Sequence, residues 1–355
     1  MSVSGSSAVN AGFRKASRPV LPTAGREQSG FSMIEMMISV SVGLMVMAAV
    51  MYTVTNTSAS GRRQEVKSTG HDEGNLAMIQ LAEHVRMSGF STPDSEVVAS
   101  DVFADGGSSL LGCRHGFADP GAAWADLRCA DSKAGNSDAL ALRFQPVEGG
   151  RNWDCLGNAV VDAQTAALLA AASANAPGDT KVDPDRVKAV AAIQADEIQE
   201  IFYIKTRNTL SGNPGLYCRS NVQAGKEQLL ADNVDQFRIR YGLSELNPQA
   251  QGTNKPFDER SLSGRTAMYR TADQLDRDCS PGTMPENSWC TVNSVQLCLV
   301  MRSDDNVNEE ANTPYVDCEG QVRQVNDRRL RQAFSMTVAV RNKIGDLAVS
   351  TGGTP

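Results

Sequence analysis

Residues 31–54, FSMIEMMISVSVGLMVMAAVMYTV, constrain this chain more than any other stretch. From Met36 to Val54 run nineteen residues without a charge, close to the ~20 that cross a hydrocarbon layer of roughly 30 Å. Glu35 is the only acidic or basic side chain between Phe31 and Gly61. A carboxylate at the head of a membrane helix is costly unless something pairs with it. The stretch therefore reads as a membrane helix with one expensive group at its amino end, directly after a small residue, Gly30, and a basic leader.

Those residues carry a resemblance. Gly30-Phe31-Ser32-Met33-Ile34-Glu35 resembles the prepilin processing site of type IV pilins and type II secretion pseudopilins. The resemblance implies cleavage between Gly30 and Phe31 by a prepilin peptidase, N-methylation of Phe31, and an assembly role for Glu35, the fifth residue of the mature chain. A plain signal anchor is the bland alternative, but it has no need of a glutamate inside its apolar segment.

The chain has 355 residues. Without leader and membrane helix about 300 remain, enough for one large domain or one domain with insertions. The leader takes four basic residues (Arg14, Lys15, Arg18, Arg26) and one acid (Glu27) out of totals of 34 and 41, leaving 30 against 40 and a net charge of −10. Such a balance argues against a general nucleic-acid surface, so no nucleic-acid partner is expected. The positive-inside rule keeps the leader cytoplasmic and exports the chain after Val54. The leader is unlike a secretory signal, because the small residue at the cleavage site precedes the apolar run instead of following it.

All eight cysteines lie beyond the membrane segment: Cys113, Cys129, Cys155, Cys218, Cys279, Cys290, Cys298 and Cys318. An oxidising periplasm pairs an even set of this kind, and zinc is disfavoured because no C-x-x-C exists. Eight cysteines allow 105 connectivities. Joining sequence neighbours gives 113–129, 155–218, 279–290 and 298–318.

Along the chain, Met78, Leu81, Ala82 and Val85 recur at helical spacing, so the helix is expected to continue to about Gly89 with an apolar stripe lying on a sheet. Gly61, Gly70 and Gly74 lower helix propensity and favour a bend or melted turn there. Residues 91–139 read as an irregular loop, 139–146 as a strand, 162–176 as a short alanine-rich helix and 177–184 as a polar connector. Strands are expected at 198–205 and 215–220 with a hairpin turn at 211–215, then at 234–241, 295–302 and 331–342. Residues 245–290 read as a long loop stapled by Cys279 and Cys290. The segments 81–90, 229–241 and 331–342 resemble the minor pilin PilW family, and the first also resembles pseudopilin J.

The resemblance implies an α+β, type IV pilin-like fold. A long N-terminal helix, half transmembrane and half amphipathic, packs on an antiparallel β-sheet with loop insertions. It divides the chain into a leader peptide at 1–30, a transmembrane and filament-core helix at 31–54, its amphipathic continuation at 55–90, and a periplasmic globular domain at 91–355. No catalytic constellation is present: G-x-S-x-G, P-loop and H-E-x-x-H are all missing from the sequence. His71, His84 and His115 read as solvated side chains. The acidic run from Asp304 to Glu310 has oxygen ligands for calcium but lacks the glycine and spacing of an EF-hand, so it reads as a solvated hairpin loop; Asp183 and Asp185 are weaker still. No enzyme, metal or cofactor is expected.

Three functions follow, in order. The first is a minor pilin of the PilW type in a complex that primes pilus assembly at the tip. By resemblance its partners are other minor pilins, the major pilin, the prepilin peptidase, the inner-membrane assembly platform and a tip adhesin. The second is a pseudopilin J of type II secretion, a group whose chains tend to be shorter. The third is a signal-anchored periplasmic enzyme or receptor. The expected location is a single-pass inner-membrane protein with its C-terminal domain in the periplasm, then the pilus tip at the cell surface.

Overall fold

The computed structural model describes residues 30–90, 107–131, 137–146, 153–160, 197–206, 212–223, 225–246, 262–279, 285–308 and 310–340. Chain packing divides it into two compact units, Met1–Ala59 and Ser60–Pro355. The division falls a few residues past the expected boundary at 54.

One helix, α1 (Met33–Met87), spans the division without interruption. No melted turn interrupts it at Gly61, Gly70 or Gly74, and Gly74 has a packing role. A Cβ built on it would sit 2.5 Å from the ring of Phe334. The glycine lets the aromatic ring reach the helix backbone, and that contact outweighs its roughly 1 kcal/mol helix penalty. In the second unit the expected apolar stripe is buried: Met78, Leu81, Ala82 and Val85 are at most 2% exposed.

The strands in chain order are β1 (Leu110–Cys113), β2 (Ala139–Phe144), β3 (Ile198–Thr206), β4 (Pro214–Ser220), β5 (Glu227–Asp232), β6 (Val234–Leu246), β7 (Leu262–Arg270), β8 (Val292–Asn306), β9 (Pro314–Val316), β10 (Val322–Gln324) and β11 (Arg329–Ala339). They form two sheets and a hairpin where the sequence suggested one sheet. β1 to β5 make an antiparallel five-stranded sheet in sequential order; β11-β8-β6-β7 make a four-stranded one; β9 and β10 pair alone. Both sheets and the α1 stripe share one apolar core.

Three further expectations are corrected. The loop at 91–139 contains β1, and the loop at 245–290 contains β7, which pairs with β6. The segment at 229–241 is two strands, split at Asn233. Asn233 holds φ 58, a left-handed conformation that asparagine tolerates. There the chain leaves the first sheet for the second in a single residue. A register shift between Val234 and Gln236 then resets the alternation, which is why Val234 and Phe237, three apart, are both fully buried. The helix at 162–176 and the connector at 177–184 lie outside the described residues.

A second stitch joins the sheets just before β2. Asp138 N–H donates to Phe237 O, and the Asp138 carboxylate accepts from Ile239 N–H and from Arg238 Nη1, each at 2.8 Å. Burial pushes this carboxyl from 3.8 up to about 6, against the pull of those two donors. A raised folded-state pKa favours the folded chain below the ordinary value, and that advantage is lost as pH rises through the folded one. Stability should therefore carry a component, at most about 3 kcal/mol, that declines between about pH 4 and about pH 6. Asp138→Asn cannot ionise, so its denaturation free energy should fall less over that window than the parent's. Carboxyls held low in both chains, such as Asp327 beside Arg331, cancel in the difference.

Candidate processing and assembly site

The amino end of α1 is built from four features. Residues 30–32 precede the helix, and the first helical bond runs from Met36 N–H to Ser32 O at 3.1 Å. Glu35 therefore lies in the first turn, where the helix dipole favours an anion. Among the described residues nothing pairs with its carboxylate. Phe31 and Met33 are 85% and 86% exposed, and the large apolar side chains from Ile34 to Val54 are exposed as well. Gly30 has no internal reason to be glycine: a Cβ built there meets nothing within 4 Å, and its backbone is not left-handed.

The same helix is long and apolar enough to cross a membrane. Its hydroxyls fit that setting. Ser39, Ser41, Thr53, Thr55 and Thr57 each donate to a backbone carbonyl three or four residues earlier, at 2.7–3.0 Å. They need no water, so the helix exposes little polar demand to lipid.

In the second unit, α1 is fixed to the sheets by a pair that the sequence reading missed. His84 Nδ1 lies 2.7 Å from Glu200 Oε2, and Cys155 N–H donates to Glu200 Oε1 at 2.7 Å. The Glu200 side chain is 0% exposed and that of His84 only 13%. The solvated reading of His84 is thus overturned: its ring also stacks obliquely on Phe202, centroids 5.5 Å apart. A signal was available, because Glu200 is a lone charge in IQEIFYI and a strand buried on both faces cannot hold one unpartnered. His71 is exposed and its Nδ1 lies 3.0 Å from Gln332 Nε2; His115 is half-buried.

Ser88 Oγ donates to Ser109 O, and Gly89 N–H to Arg143 O, both at 2.9 Å, closing the helix onto β1 and β2. Arg62 pairs with Asp305 at 2.9 Å, and Arg63 Nε donates to Val307 O at 2.9 Å. The Arg62 pair is exposed on both sides and contributes at most about 1 kcal/mol. The acidic run is thus engaged within the chain, with Asp304 accepting from Asn213 Nδ2 at 2.9 Å. Its first residues extend β8 rather than forming a loop; Glu309, Asp183 and Asp185 lie outside the described residues. No cluster of three metal-ligating side chains occurs among the described residues.

The cysteines are joined as Cys113–Cys129, Cys155–Cys218, Cys279–Cys290 and Cys298–Cys318, with Cα separations of 5.2–6.3 Å. The first ties the loop after β1 to that strand. The second ties the 153–160 segment, and with it the Glu200 pair, to β4. The last holds the turn between β9 and β10 against β8.

Residues 201–342 match the family model of the type IV pilus-assembly protein W, and residues 25–51 match that of the prokaryotic N-terminal methylation motif. Among solved structures, a type IV-like pilin from Thermus thermophilus is similar at 12% identity, over 77% of this chain and 97% of that one, with a TM-score of 0.34. No curated protein matches.

Proposed function

We propose that this chain, a PilW-like type IV pilin, is cut between Gly30 and Phe31, methylated at Phe31 and assembled as a minor subunit of a tip complex that primes the filament. The observation that carries the processing step is Gly30. A glycine with open space around it and ordinary backbone has no packing role among the described residues, which supports a use in another protein's binding cleft. The exposed apolar helix beyond it supports lateral packing, first in lipid and then among other subunits. The long insertions of the second unit support a rare position, because stacking them at every subunit would crowd a filament surface.

In a filament, Glu35 has a partner in the free amino end of a neighbouring subunit, which offsets its burial. A carboxylate kept for that purpose places a neighbour above this chain, just below an outermost cap. Glu35→Ala should be processed and inserted normally but incorporate several-fold less, scored by immunoblot of sheared filaments against membrane fractions. Normal incorporation would remove the pairing role. The reading as a whole is tested by mass spectrometry of sheared filaments, where the chain should begin at methyl-Phe31. Deleting the gene should sharply reduce surface pili while major pilin stays at normal levels in the membrane, and immunogold should mark filament ends sparsely. Uniform labelling along the shaft, or normal piliation in the deletion strain, would count against the priming role.

A further inference from the structure

The face of the five-stranded sheet opposite Glu200 carries a cavity of about 290 Å3 whose lining includes Pro120, Gly121, Gln199, Ile201, Arg219 and Ser220. Side chains alternate along β3, so Gln199 and Ile201 point away from the face where Glu200 and Phe202 meet α1. One wall is the loop closed by Cys113–Cys129, and Gln199 Nε2 fixes it by donating to Ala122 O at 3.0 Å. The volume sits at the small end of ligand pockets, which run roughly 300–1,000 Å3.

Arg219 is the chemistry of this cavity. It is half-buried, and among the described residues its guanidinium makes no direct hydrogen bond, though it attracts the Glu227 carboxylate across the strands. Two acids are near. Asp119, on the same loop, is taken up by Gly121 N–H at 2.7 Å. Glu227, the cross-strand partner on β5, is held by Lys205 Nζ and Tyr203 Oη. The loop makes room for the guanidinium with a glycine: a Cβ on Gly121 would fall 2.5 Å from Arg219 Nη2. Beside it Gln199 keeps its carbonyl oxygen as an acceptor, whereas Ser220, the cross-strand partner of Glu200, turns its side chain to the other face. Pro120 and Ile201 add an apolar wall.

We propose that this cavity binds a small carboxylate that also carries hydroxyls, of the hexuronic-acid class. The guanidinium fork takes the carboxylate in two parallel bonds, the Gln199 carbonyl oxygen takes a hydroxyl, and the Pro120–Ile201 wall takes the C–H face of the ring. The reading is independent of pilus assembly, since none of these residues lies on α1.

The test titrates full-length protein in detergent with D-glucuronate, D-glucose and methyl glucuronide by calorimetry. Glucuronate should bind saturably and glucose should not. Arg219→Gln should weaken binding by about tenfold or more, as expected for a lost charge-assisted bond, with its melting temperature measured alongside. Should that variant melt early, Arg219→Lys keeps the charge without the fork and should still weaken binding. Methyl glucuronide binding as well as the free acid assigns the site to the end of a glycan; binding of the free acid alone assigns it to a small metabolite. Absence of binding by either acid, equal binding of glucose, or unchanged affinity in both arginine variants overturns the proposal.

Discussion

Gly30→Val should leave the chain as an uncleaved precursor, one leader longer than the mature form, and keep it out of filaments. A binding cleft shaped around glycine cannot take an added isopropyl group, so the expected loss of cleavage is near complete. The structure sharpens the test. Because a Cβ at position 30 meets nothing within 4 Å among the described residues, the substitution should leave folding untouched. The variant should match the parent in membrane level and melting temperature while differing in mass at the amino terminus. Gly30→Ala, adding one methyl, should retain partial cleavage. A valine variant cut at the normal rate would show that Gly30 is not read by the peptidase.

His84→Leu should cost about 3–5 kcal/mol, the usual range when one member of a buried pair is removed. The substitution strands a fully buried carboxylate whose remaining hydrogen bond comes from Cys155 N–H. Glu200→Leu removes the buried charge itself and should cost less. The double variant His84→Leu/Glu200→Leu should be more stable than His84→Leu alone, because the stranded charge is gone. Urea unfolding of the full chain in detergent can follow Trp124, Trp153 and Trp289, all in the second unit. Strict additivity would mean that the pair is not coupled, and that the helix is held by the Met78–Val85 stripe and its other contacts without it.

How far the sequence reaches is set by the range of the signal. The membrane segment, the stripe from Met78 to Val85 and the strands β2, β3 and β8 are written in local patterning, and the structure has all of them. The joining of cysteine neighbours in sequence also coincides with the pairs observed. What local pattern cannot carry is partnership. β7 is polar because it is an edge strand whose residues from Arg265 to Arg270 face solvent, so it reads as loop until β6 is seen beside it. The division of β5 from β6 rests on the backbone of Asn233, which no periodicity marks. Gly74 reads as a weak point in a helix until Phe334, far along the chain, is found against it. His84 reads as solvated because its partner lies beyond the range of any helix pattern.

The disulfide between Cys155 and Cys218 has a mechanical consequence. Any domain pulled from its two ends lengthens by paying out backbone. This bridge closes a loop of 63 residues, so it withholds about 210 Å of contour from any such extension. The bridge also holds the 153–160 segment on β4, so the Cys155 N–H that bonds Glu200 keeps its place beside the strand that α1 contacts. The domain is thereby made short-reaching under pull, because that length of chain stays closed while the bond holds.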